Sequence, residues 1–240
     1  MSDPFIRTRL LIGDEPLDRL ARARVAVFGI GGVGGFCVEA LARAGVGALD
    51  LYDDDTVSES NLNRQLVALR STIGQPKAEV AARRVADINP DCAVRAIRMF
   101  YLPQNADTVD LGQYDYVVDC IDTVAAKLDI AQRCARLNVP LISAMGTGNK
   151  LDPTGFVVTD ISKTQGCPLA RVVRKELRAR GILHHRVLWS PEEPKAALQR
   201  EAPPPGRRSV PASNPWVPAT AGLLLGSAVV RDLIAQVSLP

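Results

Sequence analysis

The sequence predicts an α/β fold, with a mostly parallel sheet flanked by helices and a C-terminal extension. In the first 150 residues, short apolar runs alternate with helical patterns, and 47% of the 240 residues are hydrophobic. Such alternation is typical of parallel strands joined by right-handed crossover helices. A chain of this length can bury its core as one large domain. We therefore predict a single domain over 1–240, with a core at 25–150 and an extension at 151–240.

The first unit of the core combines two strands and a helix. Val25–Ile30 is apolar and β-rich, as expected for a strand buried on both faces. A helical pattern covers Val33–Ala44 and ends at Gly45. The next strand is predicted at Ala48–Tyr52 and runs into the acidic cluster Asp53–Asp55.

The rest of the core continues the same alternation. A helix begins at Pro76, and the Asn89-Pro90 pair ends it. These elements are predicted as a helix at 76–88, strands at Ala93–Ile97 and Tyr116–Cys120, a helix at Ala125–Leu137 and a strand at Leu141–Met145.

The pattern changes after Gly155. The predicted elements are a strand at Phe156–Asp160, a basic helix at Pro168–Arg180 and a short strand at Arg186–Ser190. Residues 191–218 contain 8 of the 17 prolines and predict an extended loop. The apolar segment Ala219–Val237 is interrupted by Arg231 and Asp232 and is too short to span a bilayer. We predict a buried core helix there and no stable membrane insertion.

Composition narrows the cellular setting. The N-terminal stretch MSDPFIRTRL has no apolar signal-peptide region, so none is expected. The five cysteines are scattered and form no C-x-x-C pair, so we expect reduced thiols, a cytoplasmic protein and no structural zinc. Residues 161–240 carry 12 Lys/Arg against 5 Asp/Glu. This excess indicates either a polyanionic partner or a solvated surface.

A glycine-rich turn follows the first core strand. Residues 29–34 read GIGGVG, which places G-x-G-x-x-G between a strand and a helix. Residues without side chains let backbone N–H groups approach a phosphate at the positive end of the helix. Asp53 ends the next strand, where a carboxylate can accept hydrogen bonds from ribose hydroxyls. The alternative is a turn that is glycine-rich for packing, but this context favours a nucleotide site.

Two cations and a carboxylate refine that site. Arg64 and Lys77 follow the acidic cluster, and Asp122 ends a later strand. Taken singly, Arg64 is explained as part of a surface ion pair and Lys77 as a solvated helix residue. Asp122 is explained as the N-cap of the helix that follows. Together they suit an enzyme that cleaves ATP at its α-phosphate, because fixed cations stabilise the charge that develops there. Asp122 is then a candidate ligand for the Mg²⁺ that accompanies ATP.

The motifs GIGGVG (29–34), DDDTVSESNLNRQ (53–65), GQPK (74–77) and DCID (119–122) resemble the ThiF-like, ubiquitin-activating-type adenylyltransferases over about residues 5–150. That family activates a carboxylate by adenylation, on a Rossmann-like core, and is usually dimeric. The resemblance implies a homodimer in which Arg9 is supplied across the interface. It implies catalytic roles for Arg9, Arg64, Lys77 and Asp122. The residues that it implies for nucleotide binding are Gly29, Gly31, Gly32, Gly34, Asp53, Asp55, Asn61, Arg64, Lys77 and Asp122, the last also holding Mg²⁺.

The branch of the family is indicated further along the chain. Sulfur-carrier activators typically carry two C-x-x-C pairs, which this chain lacks. The strings at Ile142–Thr154 and Val158–Arg178 instead resemble the tRNA threonylcarbamoyladenosine dehydratases. The resemblance implies ATP-driven adenylation of a carboxylate on tRNA, followed by ring closure with loss of AMP. The alternative is an adenylyltransferase that activates the C-terminal Gly-Gly of a sulfur-carrier or ubiquitin-like protein. A nucleotide-sensing module and an NAD-dependent oxidoreductase are weaker alternatives.

The basic helix fits a tRNA partner. Its charges, Arg180 included, are those expected of a phosphodiester-binding surface, and the alternative is that they serve solubility and ion pairing. The residues predicted to contact tRNA are Arg171, Arg174, Lys175 and Arg178, with Arg207 and Arg208 as additions from the proline-rich loop. His184 and His185 are predicted on an exposed loop. Cys167 precedes the helix, where the helix dipole can lower a thiol pKa, but a small residue at a helix start explains it as well.

Overall fold

The computed structural model describes residues 3–198 and 210–235. Its helices are α1 (Ile6–Ile12), α2 (Asp14–Arg22), α3 (Gly34–Arg43), α4 (Lys77–Ile88), α5 (Val124–Leu137), α6 (Pro168–Ala179) and α7 (Trp216–Ile234). Its strands are β1 (Arg24–Phe28), β2 (Ala48–Tyr52), β3 (Ala93–Ile97), β4 (Tyr116–Asp119), β5 (Leu141–Ala144), β6 (Val157–Asp160) and β7 (Arg186–Trp189). The predicted fold class is therefore confirmed, with element ends within a few residues of those predicted.

The seven strands form one sheet in the order β3-β2-β1-β4-β5-β7-β6. All neighbouring pairs are parallel except β6 and β7, which pair antiparallel. Because β7 pairs with β5, the C-terminal extension continues the sheet of the core.

Helices cover both faces of the sheet. On one face α3 and α4 pack over apolar side chains of β1 and β2, such as Val27 and Leu51, and α7 packs against α3 and strands β4 to β7. On the other face α5 covers Phe28 and Val117, and α6 packs beside α5. Strands buried on both faces need apolar residues at successive positions, which explains their unbroken apolar runs.

The last helix is part of this core. By length and composition α7 could cross a membrane, but 56% of its apolar window is buried inside the protein. Gly222 and Gly226 let it approach α3 closely, since a Cβ on Gly222 would lie 2.2 Å from the Val33 carbonyl oxygen. The predicted core helix is thus confirmed. Its start is earlier than predicted, so 216–218 are helical and not part of the loop predicted at 191–218, of which 199–209 lie outside the described residues.

Candidate active site

The candidate site is a cleft of about 440 Å³ at the carboxyl ends of β1, β2 and β4. The register places the last residues of these strands, Phe28, Tyr52 and Asp119, side by side. In the sheet order, β1 lies between β2 and β4, where the direction of strand succession reverses. Loops leave such a switch point toward opposite faces and open a crevice, which is where α/β folds bind ligands.

Nine of the ten residues predicted for nucleotide binding line this cleft. They are Gly29, Gly31, Gly32, Asp53, Asp55, Asn61, Arg64, Lys77 and Asp122. Gly34 lies outside the lining, and a Cβ there would lie 1.8 Å from the Gly29 carbonyl oxygen. The nucleotide contact of Gly34 stays a prediction, and its missing side chain lets α3 begin directly against the turn.

The glycine turn brings backbone to the cleft surface. Gly29 adopts a φ of 87°, a left-handed conformation that favours glycine, and its N–H donates to the Tyr52 carbonyl at 2.8 Å. A Cβ on Gly31 would meet only Gln65 Nε2, at 3.9 Å, so the space over this residue is open. With the N-terminus of α3 directly behind, the turn can receive an anionic group.

Two backbone N–H groups hold the carboxyl group of Asp53, one from the glycine turn after β1 and one from the segment after β2. The Ile30 N–H donates to Asp53 Oδ2 at 2.6 Å, and the Asp55 N–H donates to Oδ1 at 2.9 Å. Burial raises the pKa of Asp53, while the Ile30 N–H and the nearby Lys77 charge oppose the rise. The carboxyl group is thus fixed at the edge of the cleft, where it can bind a hydroxyl group.

Two cations line the same cleft. Lys77 is the first residue of α4 and only 5% exposed, and its Nζ lies 2.7 Å from Asp55 Oδ2. Arg64 Nη1 donates to the Ser60 carbonyl and to Asn63 Oδ1, both at 2.9 Å. Burial lowers the pKa of the Arg64 guanidinium. Fixed, partly dehydrated cations of this kind stabilise developing negative charge.

Carboxylates lie beside these cations. Asp122 follows β4 and is exposed in the cleft. In the same cleft, ligand atoms of Asp53, Asp54 and Asp55 lie within 4.8 Å of one another. Carboxylate oxygens are the donors that Mg²⁺ prefers, and it usually takes one or two of them besides phosphate oxygens. The residues present therefore fit a Mg²⁺ ion bound together with a polyphosphate.

The floor of the cleft is aromatic. Phe28 stacks on Tyr52 with ring centroids 4.3 Å apart, and Tyr101 meets Phe28 edge-on at 5.1 Å. The Tyr101 hydroxyl donates to Asp129 Oδ2 at 2.7 Å, which fixes the ring. Sequence reasoning missed Tyr101 because it lies in the irregular segment after β3. The cleft thus combines a charged wall with an apolar floor.

Two more cleft residues were missed. Gln65 is 8% exposed, and its Oε1 has no hydrogen-bond partner among the residues that the structure describes. An unpaired buried amide oxygen is costly, so Gln65 is an additional candidate ligand group. Its position directly after Arg64 was the available signal. Thr147, on the loop after β5, lines the cleft from the side of the C-terminal extension.

Arg9 lies away from the cleft lining of its own chain. Its Nε donates to Asp3 Oδ2 at 2.8 Å, and its Nη1 contacts Asp14 Oδ1. On the same short helix, Leu10 and Leu11 are 79% and 77% exposed. The residue is therefore presented on the surface of α1 beside an apolar patch.

The basic helix α6 presents three of its four predicted tRNA contacts. Arg171, Lys175 and Arg178 are exposed. Arg174 is half-buried, and its Nη1 donates to the carbonyl and hydroxyl oxygens of Thr164. Arg174 therefore holds the preceding turn in place. The predicted additions Arg207 and Arg208 lie outside the described residues.

The two histidines and Cys167 differ in how far they are buried. His184 is exposed as predicted, but His185 is only 8% exposed, with Nε2 2.8 Å from Ser143 Oγ. The exposed-loop prediction for His185 was wrong because β7 begins at the next residue and pairs with β5, which brings the imidazole against Ser143. Cys167 is the N-cap residue of α6 and 3% exposed, so its thiol is buried.

The family model described as the ThiF family matches residues 6–232. The chain belongs to the ThiF family. A relative from Bacillus subtilis, named tRNA threonylcarbamoyladenosine dehydratase, is 44% identical over 100% of this chain and 98% of its own length. A more distant ThiF-family relative, the sulfur carrier protein ThiS adenylyltransferase of Escherichia coli, is 38% identical over 60% of this chain and 59% of its own length.

Solved structures agree with the ThiF-family assignment. The crystal structure of E. coli tRNA N6-threonylcarbamoyladenosine dehydratase, TcdA, in complex with AMP matches with a TM-score of 0.88. Its sequence identity is 36%, and the match covers 97% of this chain and 94% of that chain. The complex of the same protein with ATP matches with a TM-score of 0.86, over the same shares of both chains and at the same identity.

Proposed function

We propose that the chain is an ATP-dependent tRNA threonylcarbamoyladenosine dehydratase. It adenylates the carboxylate of the modified adenosine and promotes its cyclisation, releasing pyrophosphate and AMP. One observation carries the proposal: the similarity to the B. subtilis dehydratase extends over the whole chain, extension included. The cleft supports it, because its cations, carboxylates and open glycine turn suit ATP.

The proposed chemistry has two steps. A carboxylate oxygen of the substrate attacks the α-phosphorus of ATP, and the bond to pyrophosphate breaks. Arg64 and Lys77 stabilise the charge on the phosphoryl oxygens and the leaving group. An internal nitrogen or oxygen of the substrate then attacks the acyl carbon, AMP leaves with the carboxylate oxygen, and the ring closes. Because the nucleophile is intramolecular, no enzyme cysteine is needed.

The nucleotide is bound by the parts of the cleft that follow β1 and β2. In the proposal, Gly31 and Gly32 lie against the phosphates and Asp53 binds the ribose, with Asn61 and Gln65 close by. When bound, Mg²⁺ supplies positive charge that offsets that of the phosphates. Asp122 is the residue that would hold it, supported by its exposure in the cleft.

The tRNA is proposed to lie along α6. Arg171, Lys175 and Arg178 have the spacing i, i+4, i+7, which places them along one exposed stripe of the helix. Lysines and arginines in a row bind phosphodiesters by displacing counterions. A reducing cytoplasmic setting fits this partner, since all five cysteines are free thiols.

A homodimer is proposed to complete the site. The apolar residues Leu10 and Leu11 beside Arg9 support an interface on α1, since large exposed apolar side chains in a group mark contact surfaces. In this arrangement Arg9 reaches the cleft of the second copy, where it adds a further cation.

The assay that tests the function uses three acceptors. The protein is incubated with ATP, Mg²⁺ and either tRNA that carries threonylcarbamoyladenosine, tRNA without the modification, or a small protein ending in Gly-Gly. We expect pyrophosphate and AMP only with the modified tRNA, together with loss of one water mass from its nucleoside. Turnover with the Gly-Gly protein alone would overturn the proposal in favour of a sulfur-carrier adenylyltransferase.

A further inference from the structure

A buried ion pair lies directly beneath the cleft. Lys127 on α5 and Asp119 at the end of β4 have side chains 1% and 0% exposed, with Nζ 2.9 Å from Oδ2. Lys127 Nζ also donates to the Ala144 carbonyl at the end of β5, at 2.9 Å. One ammonium group thus joins two strand ends and a helix at the carboxyl edge of the sheet.

The pair holds the backbone just before Asp122 through Asp119. The Ile121 N–H donates to Asp119 Oδ1 at 3.1 Å. After Asp122, the Lys127 backbone N–H donates to the Thr123 carbonyl at 3.1 Å, which is the first turn of α5 and does not depend on the Lys127 side chain. The ion pair therefore acts on the loop through Asp119 and Ile121.

Stability alone gives a poor reason for this pair. Dehydrating two charges costs about as much as their attraction returns, and apolar replacements of buried pairs are often neutral or stabilising. No second cation competes for Asp119 from the adjacent His185, because burial lowers the pKa of that imidazole to about 4 and leaves it neutral. Asp119 is therefore paired with Lys127 and not with His185.

We propose that Lys127 is a positioning residue, which acts through Asp119 to hold the Asp122 carboxylate where it receives Mg²⁺-ATP. The inference rests on the proposed function, since Asp122 is a proposed ligand. Lys127 touches neither nucleotide nor metal in this account. Its effect is on the geometry of the β4–α5 loop.

The test measures ATP binding by calorimetry, in EDTA and in Mg²⁺, beside adenylation turnover. Lys127→Met is compared with the double variant Asp119→Asn/Lys127→Met, which leaves neither charge buried alone. We expect the double variant to bind ATP in EDTA within about twofold of wild type, because the glycine turn and Asp53 are untouched. The factor by which Mg²⁺ increases the affinity for ATP should fall by about tenfold, and the adenylation turnover should fall by about the same factor.

A cycle with Asp122→Asn separates positioning from general damage. If Lys127 acts through Asp122, adding Asp122→Asn to the double variant causes no further loss, because the two changes remove the same interaction. Lys150→Met is the matched control, since Lys150 is another buried lysine whose Nζ donates to a backbone carbonyl, that of Ser190 at 2.9 Å. It should lower the melting temperature and leave the effect of Mg²⁺ on ATP binding unchanged.

Three results would overturn the inference. Mg²⁺ could increase the ATP affinity of the double variant as much as that of the wild type, or the double variant could lose the same ATP affinity in EDTA as in Mg²⁺. The third is that the losses of the double variant and of Asp122→Asn add when the changes are combined. Should the variants with Met at 127 not fold, Asp119→Asn alone decides between these results, because the amide still accepts from Ile121 while the charge attraction to Lys127 is lost. If Mg²⁺ does not change the ATP affinity of the wild-type protein, the proposed metal role of Asp122 is wrong instead.

Discussion

The Ile30 N–H donates to Asp53 Oδ2 at 2.6 Å, which joins the glycine turn after β1 to the carboxyl group after β2. The two segments are 23 positions apart in sequence, and pairing of β1 with β2 brings them together. A hydrogen bond to a charged acceptor is stronger than a neutral one. Asp53 therefore has two parts in the site: it presents a carboxyl group to the cleft and it orients the turn.

Replacement of Asp53 should affect binding more than stability. We expect Asp53→Ala to weaken ATP binding by about 10- to 100-fold, the value of one or two hydrogen bonds to a charged group. Relief from burying a carboxyl group offsets part of the stability loss, since burial raises its pKa. Calorimetric titration with ATP measures the effect. Asp91→Ala, at an exposed position outside the cleft lining, is the control and should change the affinity by less than about threefold.

Three glycines separate folding from ligand binding. A Cβ on Gly34 would overlap the Gly29 carbonyl at 1.8 Å, so Gly34→Ala should fail to fold or lose several degrees of melting temperature. A Cβ on Gly31 would meet nothing closer than 3.9 Å, so Gly31→Ala should fold normally and bind ATP about tenfold or more weakly. Gly35→Ala, with its nearest neighbour at 3.6 Å, is the control. Normal ATP affinity in Gly31→Ala would place the phosphates elsewhere.

The sequence predicts the core and the cleft well because both depend on short-range patterns. Apolar runs identify the strands, and the residues that follow parallel strands necessarily meet at one sheet edge. For this reason Gly31, Asp53 and Asp122 could be brought together without coordinates. The aromatic floor could not, because Tyr101 reaches the cleft from a segment without regular structure.

Other differences have equally physical causes. The loop predicted to end at 218 stops earlier because Pro218 lies in the first turn of α7, where the missing N–H has no helical partner to lose. Helices α1 and α2 were not predicted, since each is too short to show a clear period. The signal at α2 was the acidic first turn of Asp14 and Glu15 before the buried Leu17 and Leu20.

Mixing two inactive variants tests whether Arg9 acts across a dimer interface. Arg9→Ala and Arg64→Ala should each lower adenylation by about 100-fold or more. In a heterodimer of the two, one cleft has its own Arg64 and receives Arg9 from its partner. Random mixing of subunits then restores about a quarter of wild-type activity if Arg9 acts in trans. If Arg9 acts in its own chain, the mixture stays as inactive as its components, and if Arg9 has no role, Arg9→Ala alone keeps wild-type activity.

His185 should make stability depend on pH. Burial lowers its pKa from 6.5 to about 4, so between these pH values the imidazole binds a proton in the unfolded chain and stays neutral in the folded chain. Stability therefore falls as the pH drops from about 6.5 toward about 4, by up to about 1.4 kcal/mol per pH unit. Denaturant unfolding at several pH values measures the slope. His185→Gln should reduce this slope.

The stripe on α6 predicts a salt-dependent tRNA affinity. Replacing Arg171, Lys175 and Arg178 with alanine should weaken tRNA binding and lower the slope of log affinity against log salt by about 2 to 3, since each lost phosphate contact removes nearly one released counterion. ATP binding should be unchanged, because the stripe lies outside the cleft lining.

Arg174 lies on the same helix but is expected to behave differently from the three exposed residues of the stripe. Its guanidinium is bonded to Thr164, so Arg174→Ala should lower the melting temperature while the salt slope falls by less than about one. Arg83→Ala is the surface control, because Arg83 is exposed on α4, which packs against β3 at the other end of the sheet. It should alter neither quantity. If the triple variant bound tRNA with wild-type affinity at every salt concentration, α6 would be a solvated face and the tRNA would contact another surface.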